Sequence, residues 1–164
     1  MNKLHHYTTT LTWTGNQGTG TSNYKAFQRS HTIETTGKPI IHGSSDPSFR
    51  GDPAKYNPEE LLLSSLSACH MLWYLHLCAV NGVQVTQYTD QATGTMEESS
   101  EGGGKFTQVR LNRKAKGSEK TMIDKALELH GQANKKCFIA NSVNFSVKHH
   151  PSCEVKQQAD HPNP

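Results

Sequence analysis

One long apolar segment, residues 57–82, limits what this chain can fold into. It opens with Asn57 and Pro58, and these residue types favour the cap and the first position of a helix. It closes with Asn81 and Gly82, which readily adopt the left-handed conformation that ends helices. Between these ends the apolar side chains lie all round the helix instead of forming one stripe. The segment therefore predicts a central helix that is buried on every side.

The length of this segment also suits a transmembrane helix, which needs ~20 residues. In a bilayer, however, five polar side chains would lie in lipid, and no basic cluster flanks the segment. These polar residues are Ser64, Ser65, Ser67, His70 and His76. We therefore predict the core helix of a soluble protein and no membrane association.

The chain length favours one domain over residues 1–164, with a frayed tail from about 154. Only 33% of the residues are hydrophobic, and many of them belong to the central helix. So small a chain has little else with which to cover that helix. We expect a second copy of the chain to supply part of the cover, in a homodimer.

The charge distribution does not suggest a nucleic-acid surface. The net charge is +3, and the densest basic stretch holds Arg110, Arg113, Lys114 and Lys116. A nucleic-acid-binding domain is usually more basic than this. We interpret the stretch as the solvated face of a strand.

The first ten residues contain no apolar run of the kind found in signal peptides. We therefore expect a cytoplasmic protein. In that reducing compartment we expect the four cysteines to be inert, metal-binding or redox-active and not to form a structural disulfide framework: Cys69, Cys78, Cys137 and Cys153.

The order of secondary-structure patterns predicts an α+β fold. No regular alternation of strands and helices appears, which disfavours a doubly wound sheet. Strand patterns occur at 4–14, 24–35, 39–42, 83–96, 106–117 and 145–148, and an amphipathic helix capped by Ser118 follows the fifth of them.

Helix geometry restricts the pairing of the cysteines. Cys69 and Cys78 are nine residues apart on one helix, which places them half a turn out of phase and ~13 Å apart along the axis. They cannot form a disulfide with each other. If Cys69 forms an intrachain disulfide, its partner is Cys137 or Cys153.

The histidines near these cysteines do not predict a metal site. The sequence HHPSC at 149–153, together with His70, His76 and Cys69, contains neither a C-x-x-C pair nor an H-E-x-x-H helix. We interpret these histidines as scattered surface residues and predict neither a metal nor a cofactor. No residue pattern singles out a base for a cysteine hydrolase either.

The segment NPEELLLSSLSACHM resembles the signature helix of the OsmC/Ohr family. In that family the first redox cysteine follows the glutamate of the signature by ten residues, as Cys69 follows Glu59 here. The family's second cysteine begins the short helix after the amphipathic one, and Cys137 in NKKCFIANSV occupies that place. The resemblance extends from Trp13 to about Val147.

This resemblance implies an OsmC-like α+β fold with a long buried central helix, antiparallel sheets and a second amphipathic helix, assembled as an intertwined homodimer. It also implies a thiol peroxidase that reduces organic hydroperoxides and is itself reduced by a small dithiol or lipoyl-type donor. The alternative is a non-catalytic dimer of the same fold that binds an apolar ligand.

The resemblance further implies a role for each site residue. Cys69 would attack the peroxide and become a sulfenic acid, and Cys137 would resolve it as a disulfide. A family arginine stabilises the first thiolate and is held by the glutamate, which Glu59 matches. We assign that arginine to Arg50, in the loop before the helix, with Arg29 as the second choice.

Overall fold

The computed structural model describes residues 3–117 and 119–155. The chain divides into two compact units, with the division between Leu62 and Leu63.

The first unit contains a three-stranded antiparallel sheet in the order β1-β2-β3. Its strands are β1 (Thr10–Trp13), β2 (His31–Glu34) and β3 (Ile41–Gly43). They are shorter than the predicted strands because residues between them form turns. For example, the Asn16 side chain accepts hydrogen bonds from the N–H groups of Gly18 and Gly20.

The central helix α1 spans Pro58–Val80, close to the predicted bounds. Asn57 and Glu60 form a reciprocal cap at its start. The Glu60 N–H donates to Asn57 Oδ1 at 2.8 Å, and the Asn57 N–H donates to Glu60 Oε2 at 3.1 Å. This arrangement satisfies two N–H groups that a helix start leaves unpaired. At the other end Gly82 has a φ of 71°, as the sequence predicts.

The prediction that α1 is buried on every side is wrong for the single chain. Its buried residues, Leu66, His70, Tyr74, Leu77 and Cys78, recur every three or four positions and form one face. Leu72 and Val80 each remain 64% exposed. By length and composition α1 could cross a membrane, but Tyr74, Leu77 and Cys78 pack in the protein core.

The second unit contains the larger sheet, in which the 14-residue strand β6 (Gly104–Gly117) is central. β4 (Val85–Asp90) and β5 (Thr93–Glu98) both pair antiparallel with β6. They follow each other along one edge of β6, because β7 (Ser146–Val155) occupies the other edge. The predicted strand over 83–96 is therefore broken near Gln91.

The pairing of β7 with β6 is parallel. The prediction that the sheets are antiparallel is therefore wrong for this pair of strands. A parallel neighbour requires a crossover connection. Helix α2 (Ile123–Lys136), preceded by a 3-10 turn over Lys120–Met122, supplies it between β6 and β7.

Helix α2 is amphipathic, as predicted: Ala126, Leu129, His130 and Ala133 are buried on one face. The predicted cap Ser118 lies outside the described residues, as do residues 156–164 of the predicted frayed tail. The core cluster comprises Tyr74, Leu77 and Cys78 of α1, Val83, Ala115 of β6, and Ala126, Leu129 and Ala133 of α2.

Candidate functional site

The structure brings Cys69 and Cys137 together. The two side chains are close enough for Cys69 to raise the pKa of Cys137, and both are free thiols. Cys69 lies on α1 and is half-buried, whereas Cys137 follows the last residue of α2 and is only 1% exposed. The pair thus combines one thiol open to solvent with one that is shielded.

The backbone at the end of α2 fixes the position of Cys137. Cys137 leaves the helical conformation, with φ −68° and ψ 109°, and its N–H donates to the Asn134 carbonyl. The Ala140 N–H donates to Cys137 Sγ at 3.4 Å. A backbone N–H directed at sulfur favours the thiolate.

Burial, and then the neighbouring Cys69 thiol, raise the pKa of Cys137 to about 11, and the Ala140 N–H acts in the opposite direction. At neutral pH Cys137 is therefore a protonated thiol. A thiol in this state is a poor nucleophile until its proton is removed.

An apolar groove of about 330 Å³ opens beside Cys69. Besides Cys69 it is lined by Leu72, Trp73, His76 and Phe138. The Trp73 ring lies edge-on to the Phe138 ring at 5.6 Å between centroids. Phe138 is 69% exposed, so the groove is open and presents aromatic and aliphatic surface directly beside the sulfur.

The other predicted site residues belong to the first unit. Arg50 is exposed and has a φ of 66°. The guanidinium of Arg29 donates hydrogen bonds to the carbonyls of Phe27 and Tyr24, which are close to it in sequence. Both arginines line one cavity of about 210 Å³. Glu59 is half-buried, and its Oε2 has no hydrogen-bond partner among the described residues.

Sequence reasoning missed a buried polar cluster in the second unit. Arg113 is 0% exposed, so the interpretation of its basic stretch as a solvated face is wrong at this position. Its guanidinium donates to His149 Nδ1. Alternation along β6 could have revealed it, because Arg113 shares the inward face with Leu111 and Ala115.

Three histidines, His70, His130 and His149, adjoin this arginine, so the interpretation of His70 and His149 as surface residues is wrong. The rings of His70 and His130 stack at 5.5 Å and share a hydrogen bond of 3.2 Å, and His149 stacks on His70 at 5.6 Å. Burial, and then the charge of Arg113, lower the pKa of His70 to about 2, of His130 to about 3 and of His149 to about 4. All three rings are therefore neutral at pH 7. Within the described residues, no group of three or more His, Cys, Asp or Glu side chains has a metal-binding arrangement.

The remaining two cysteines adjoin a tyrosine in the core. The Tyr74 hydroxyl lies 3.8 Å from Cys153 Sγ, and Cys78 is near enough to contribute to the raised pKa of Tyr74. Burial raises the pKa of both thiols. Neither thiol lines the groove at Cys69.

Comparison with protein families identifies residues 51–151 as matching the model for OsmC-like proteins. The chain belongs to the OsmC-like family. This confirms the family resemblance that the NPE segment and the late cysteine indicate. Comparison with curated proteins gives no match.

Solved structures of OsmC-like proteins share this fold. An OsmC-like protein of unknown function from Vibrio cholerae O1 biovar eltor is 30% identical, with a TM-score of 0.81 over 90% of this chain and 99% of that one. An organic hydroperoxide resistance protein from Legionella pneumophila is 21% identical, with a TM-score of 0.65 over 93% and 100%. A second Vibrio cholerae protein, described as a hydroperoxide resistance protein with captopril in one of its active sites, is 20% identical, with a TM-score of 0.63 over 93% and 95%.

Proposed function

We propose that this OsmC-like chain is a thiol-dependent peroxidase that reduces organic hydroperoxides through Cys69 and Cys137. The observation that carries the proposal is the position of Cys69, which opens onto the apolar groove and also contacts the shielded Cys137. A two-cysteine cycle needs one thiol that the peroxide can reach and a second thiol close enough to form a disulfide with it.

In this cycle the Cys69 thiolate attacks one peroxide oxygen. The O–O bond breaks, the alcohol leaves with a proton from solvent, and Cys69 becomes a sulfenic acid. The Cys137 sulfur then attacks Cys69 Sγ, so that an S–S bond forms and the S–O bond breaks. The departing hydroxide takes the Cys137 proton and leaves as water.

The apolar groove favours an organic hydroperoxide over hydrogen peroxide as the substrate. Leu72 and Phe138 are 64% and 69% exposed, and a bound organic group would cover part of this surface. Covering apolar surface contributes about 25 cal/mol per Å². Hydrogen peroxide has no such group and would gain nothing from the groove.

The proposal gives Arg50 and Glu59 a role in the thiolate step. Arg50 would stabilise the Cys69 thiolate, and Glu59 would hold the guanidinium. Within the described residues these two side chains form no ion pair, and the buried Glu59 Oε2 has no partner. In a homodimer, a guanidinium from one copy could reach the carboxylate of the other.

The proposed homodimer also has support on α1, where Leu72 and Val80 remain exposed in the single chain.

For regeneration we propose a small dithiol or lipoyl-type donor in the cytoplasm. Its two thiols become a disulfide as the Cys69–Cys137 bond is reduced by exchange. The cycle involves only sulfur chemistry and uses no cofactor.

The test is turnover of cumene hydroperoxide and of hydrogen peroxide with a dithiol as reductant. The wild type should prefer the organic substrate, Cys69→Ser should be inactive, and Cys153→Ala, a change outside the groove, should retain activity. Phe138→Ala should raise KM for cumene hydroperoxide without changing that for hydrogen peroxide.

The apolar groove also favours the second candidate, a non-catalytic dimer that binds an apolar ligand. In that case the wild type would consume no more peroxide than Cys69→Ser. Both proteins would still bind cumyl alcohol, which would be detected through quenching of Trp73 fluorescence in a Trp13→Phe background.

A further inference from the structure

A small polar cavity lies in the first unit, at one end of the three-stranded sheet. Its volume is about 210 Å³, and its walls come from the segment before β2, from the residue after β3 and from the loop that follows β3. β2 and β3 pair antiparallel, with His31 opposite Gly43, so Ser30 and Ser44 meet at this end of the sheet. The cavity is therefore built by paired strands as well as by a loop.

The backbone of the loop after β3 fixes the position of Arg50 beside the cavity. The Arg50 N–H donates to the Pro47 carbonyl, and the Gly51 N–H donates to the Asp46 carbonyl, each at 3.0 Å. A Cβ at Gly51 would lie 1.5 Å from the Ser45 carbonyl oxygen, so only glycine permits this turn. Arg50 itself has a φ of 66°, in the left-handed region that side chains disfavour. Backbone strain of this kind is common where a fold holds a ligand-binding side chain in place.

Two guanidinium groups reach this cavity without a carboxylate partner. The guanidinium carbons of Arg29 and Arg50 lie 4.4 Å and 6.0 Å from the centroid of one ring, that of Tyr24. Neither arginine takes part in an ion pair with any residue that the structure describes. Two like charges held against one ring repel each other. An anion in the cavity would replace this repulsion with attraction.

The Asp52 carboxylate, which lines the cavity, is already neutralised. Its Oδ2 lies 3.1 Å from Lys55 Nζ, and its Oδ1 accepts the Ala54 N–H at 3.0 Å. A second carboxylate of the loop, that of Asp46, accepts the Ser48 N–H and does not line the cavity. The charge that remains at the cavity is therefore positive.

Two buried serine hydroxyls add uncharged donors to the wall. Ser44 is 1% exposed and Ser30 is 8% exposed. Ser44 Oγ accepts the Asp52 N–H at 3.0 Å, and Ser30 Oγ accepts a hydrogen bond from Lys55 Nζ at 2.9 Å. Each hydroxyl also carries one O–H donor, and neither donates to an acceptor within residues 3–117 and 119–155. Because a buried donor costs free energy until an acceptor reaches it, both favour an acceptor-rich ligand.

We propose that this cavity binds a small oxyanion, a phosphate or a carboxylate group. The planar fork of a guanidinium suits the oxygens of both groups. Arg29 is already oriented for this role, because it donates to the carbonyls of Phe27 and Tyr24. The volume is below the range of about 300–1,000 Å³ of drug-sized pockets, so the ligand is a small anion or the anionic end of a larger molecule. This site goes beyond the proposed peroxidase activity and does not depend on it.

The first measurement is calorimetric titration of the full chain with inorganic phosphate and, separately, with acetate, at constant ionic strength. The wild type should bind at least one of them, and the tighter of the two identifies the site as a phosphate or a carboxylate site. Arg50→Gly removes the charge but keeps the left-handed backbone. It should raise Kd about tenfold or more, because a charged hydrogen-bond donor is lost. Arg50→Lys keeps the charge and should restore part of the affinity.

The matched control is Lys38→Gln. Lys38 is exposed in the turn between β2 and β3, at the other end of these strands. The substitution removes one positive charge from the same unit, and it should leave Kd unchanged. An equal loss of affinity in Lys38→Gln and Arg50→Gly would show that the chain attracts anions only through its overall charge, and would overturn the proposal.

The second measurement needs no substitution. In NMR spectra of the wild type, the anion that binds should shift the Arg29 Nε–H resonance and the backbone N–H resonances of Ser44 and Arg50, with one common Kd. The Lys38 N–H resonance should stay in place. The absence of saturable shifts at the first three positions with both anions would overturn the proposal. Neither measurement involves Cys69 or a peroxide, so a wild type that consumes no peroxide would refute the peroxidase and leave this test intact.

Discussion

Lowering the pH from 6.5 to 5.0 should destabilise this protein through its three buried histidines. The unfolded chain takes up a proton at each histidine near pH 6.5. The folded chain cannot do so until the pH approaches the lowered pKa values, about 4 for His149, about 3 for His130 and about 2 for His70. The unfolded state therefore binds more protons throughout this interval. As a result, the free energy of unfolding decreases as the pH is lowered.

The magnitude follows from the width of the interval. Each histidine lowers the free energy of unfolding by up to about 1.4 kcal/mol for each pH unit of acidification, or ~2 kcal/mol between pH 6.5 and 5.0. Three histidines give an upper bound of ~6 kcal/mol, which is comparable to the whole stability of many domains. The interval lies above the ordinary carboxylate range, so histidines dominate it.

The assay is urea unfolding followed by circular dichroism at pH 7.5, 6.5 and 5.0, at one protein concentration. His130→Gln should lower stability at pH 7.5 but reduce the further loss at pH 5.0 by ~2 kcal/mol. His5→Gln, at an exposed position, should behave like the wild type. A wild-type stability that is flat between pH 6.5 and 5.0, or an equal loss in His130→Gln, would refute the reasoning.

Three further predictions concern the thiols and the assembly. Mild oxidation with an organic hydroperoxide should link Cys69 to Cys137 and leave the other two cysteines free; peptide mapping that joins Cys69 to any other cysteine would contradict this. Arg50→Ala should slow alkylation of Cys69 at neutral pH about tenfold, with recovery at higher pH, because the thiolate loses its countercharge. Arg29→Ala should do much less, and an effect confined to that variant would show that Arg50 is the wrong choice. Sedimentation at micromolar concentration should give a homodimer, and a stable monomer would count against the exposed face of α1 as an interface.

The parts of the fold that the sequence predicted are those determined locally. Helix α1 begins at Pro58 because Asn57 and Glu60 cap each other within one turn. The parallel pairing of β7 with β6 was not predicted, since it depends on contacts between residues about 38 positions apart, such as Gln108 and Ser146.

The candidate site was likewise predicted only in part. Family spacing indicated Cys69 and Cys137, but their contact arises only when the end of α2 returns to α1. Arg113 was misread because its neighbours Lys114 and Lys116 are exposed, and adjacent charges suggest one solvated patch. In a strand, adjacent residues face opposite sides, so alternation is the better guide to burial.

The most direct test of the peroxidase is a single-turnover reaction in the absence of any reductant. Fully reduced protein, with four thiols per chain, is mixed with one equivalent of cumene hydroperoxide in a stopped-flow instrument. Peroxide consumption and the remaining thiols are then measured for the wild type and for Cys69→Ser. We predict that the wild type consumes the peroxide, loses two thiols per chain and releases cumyl alcohol, whereas Cys69→Ser does none of these. Four thiols and intact peroxide after mixing with the wild type would contradict the proposed function.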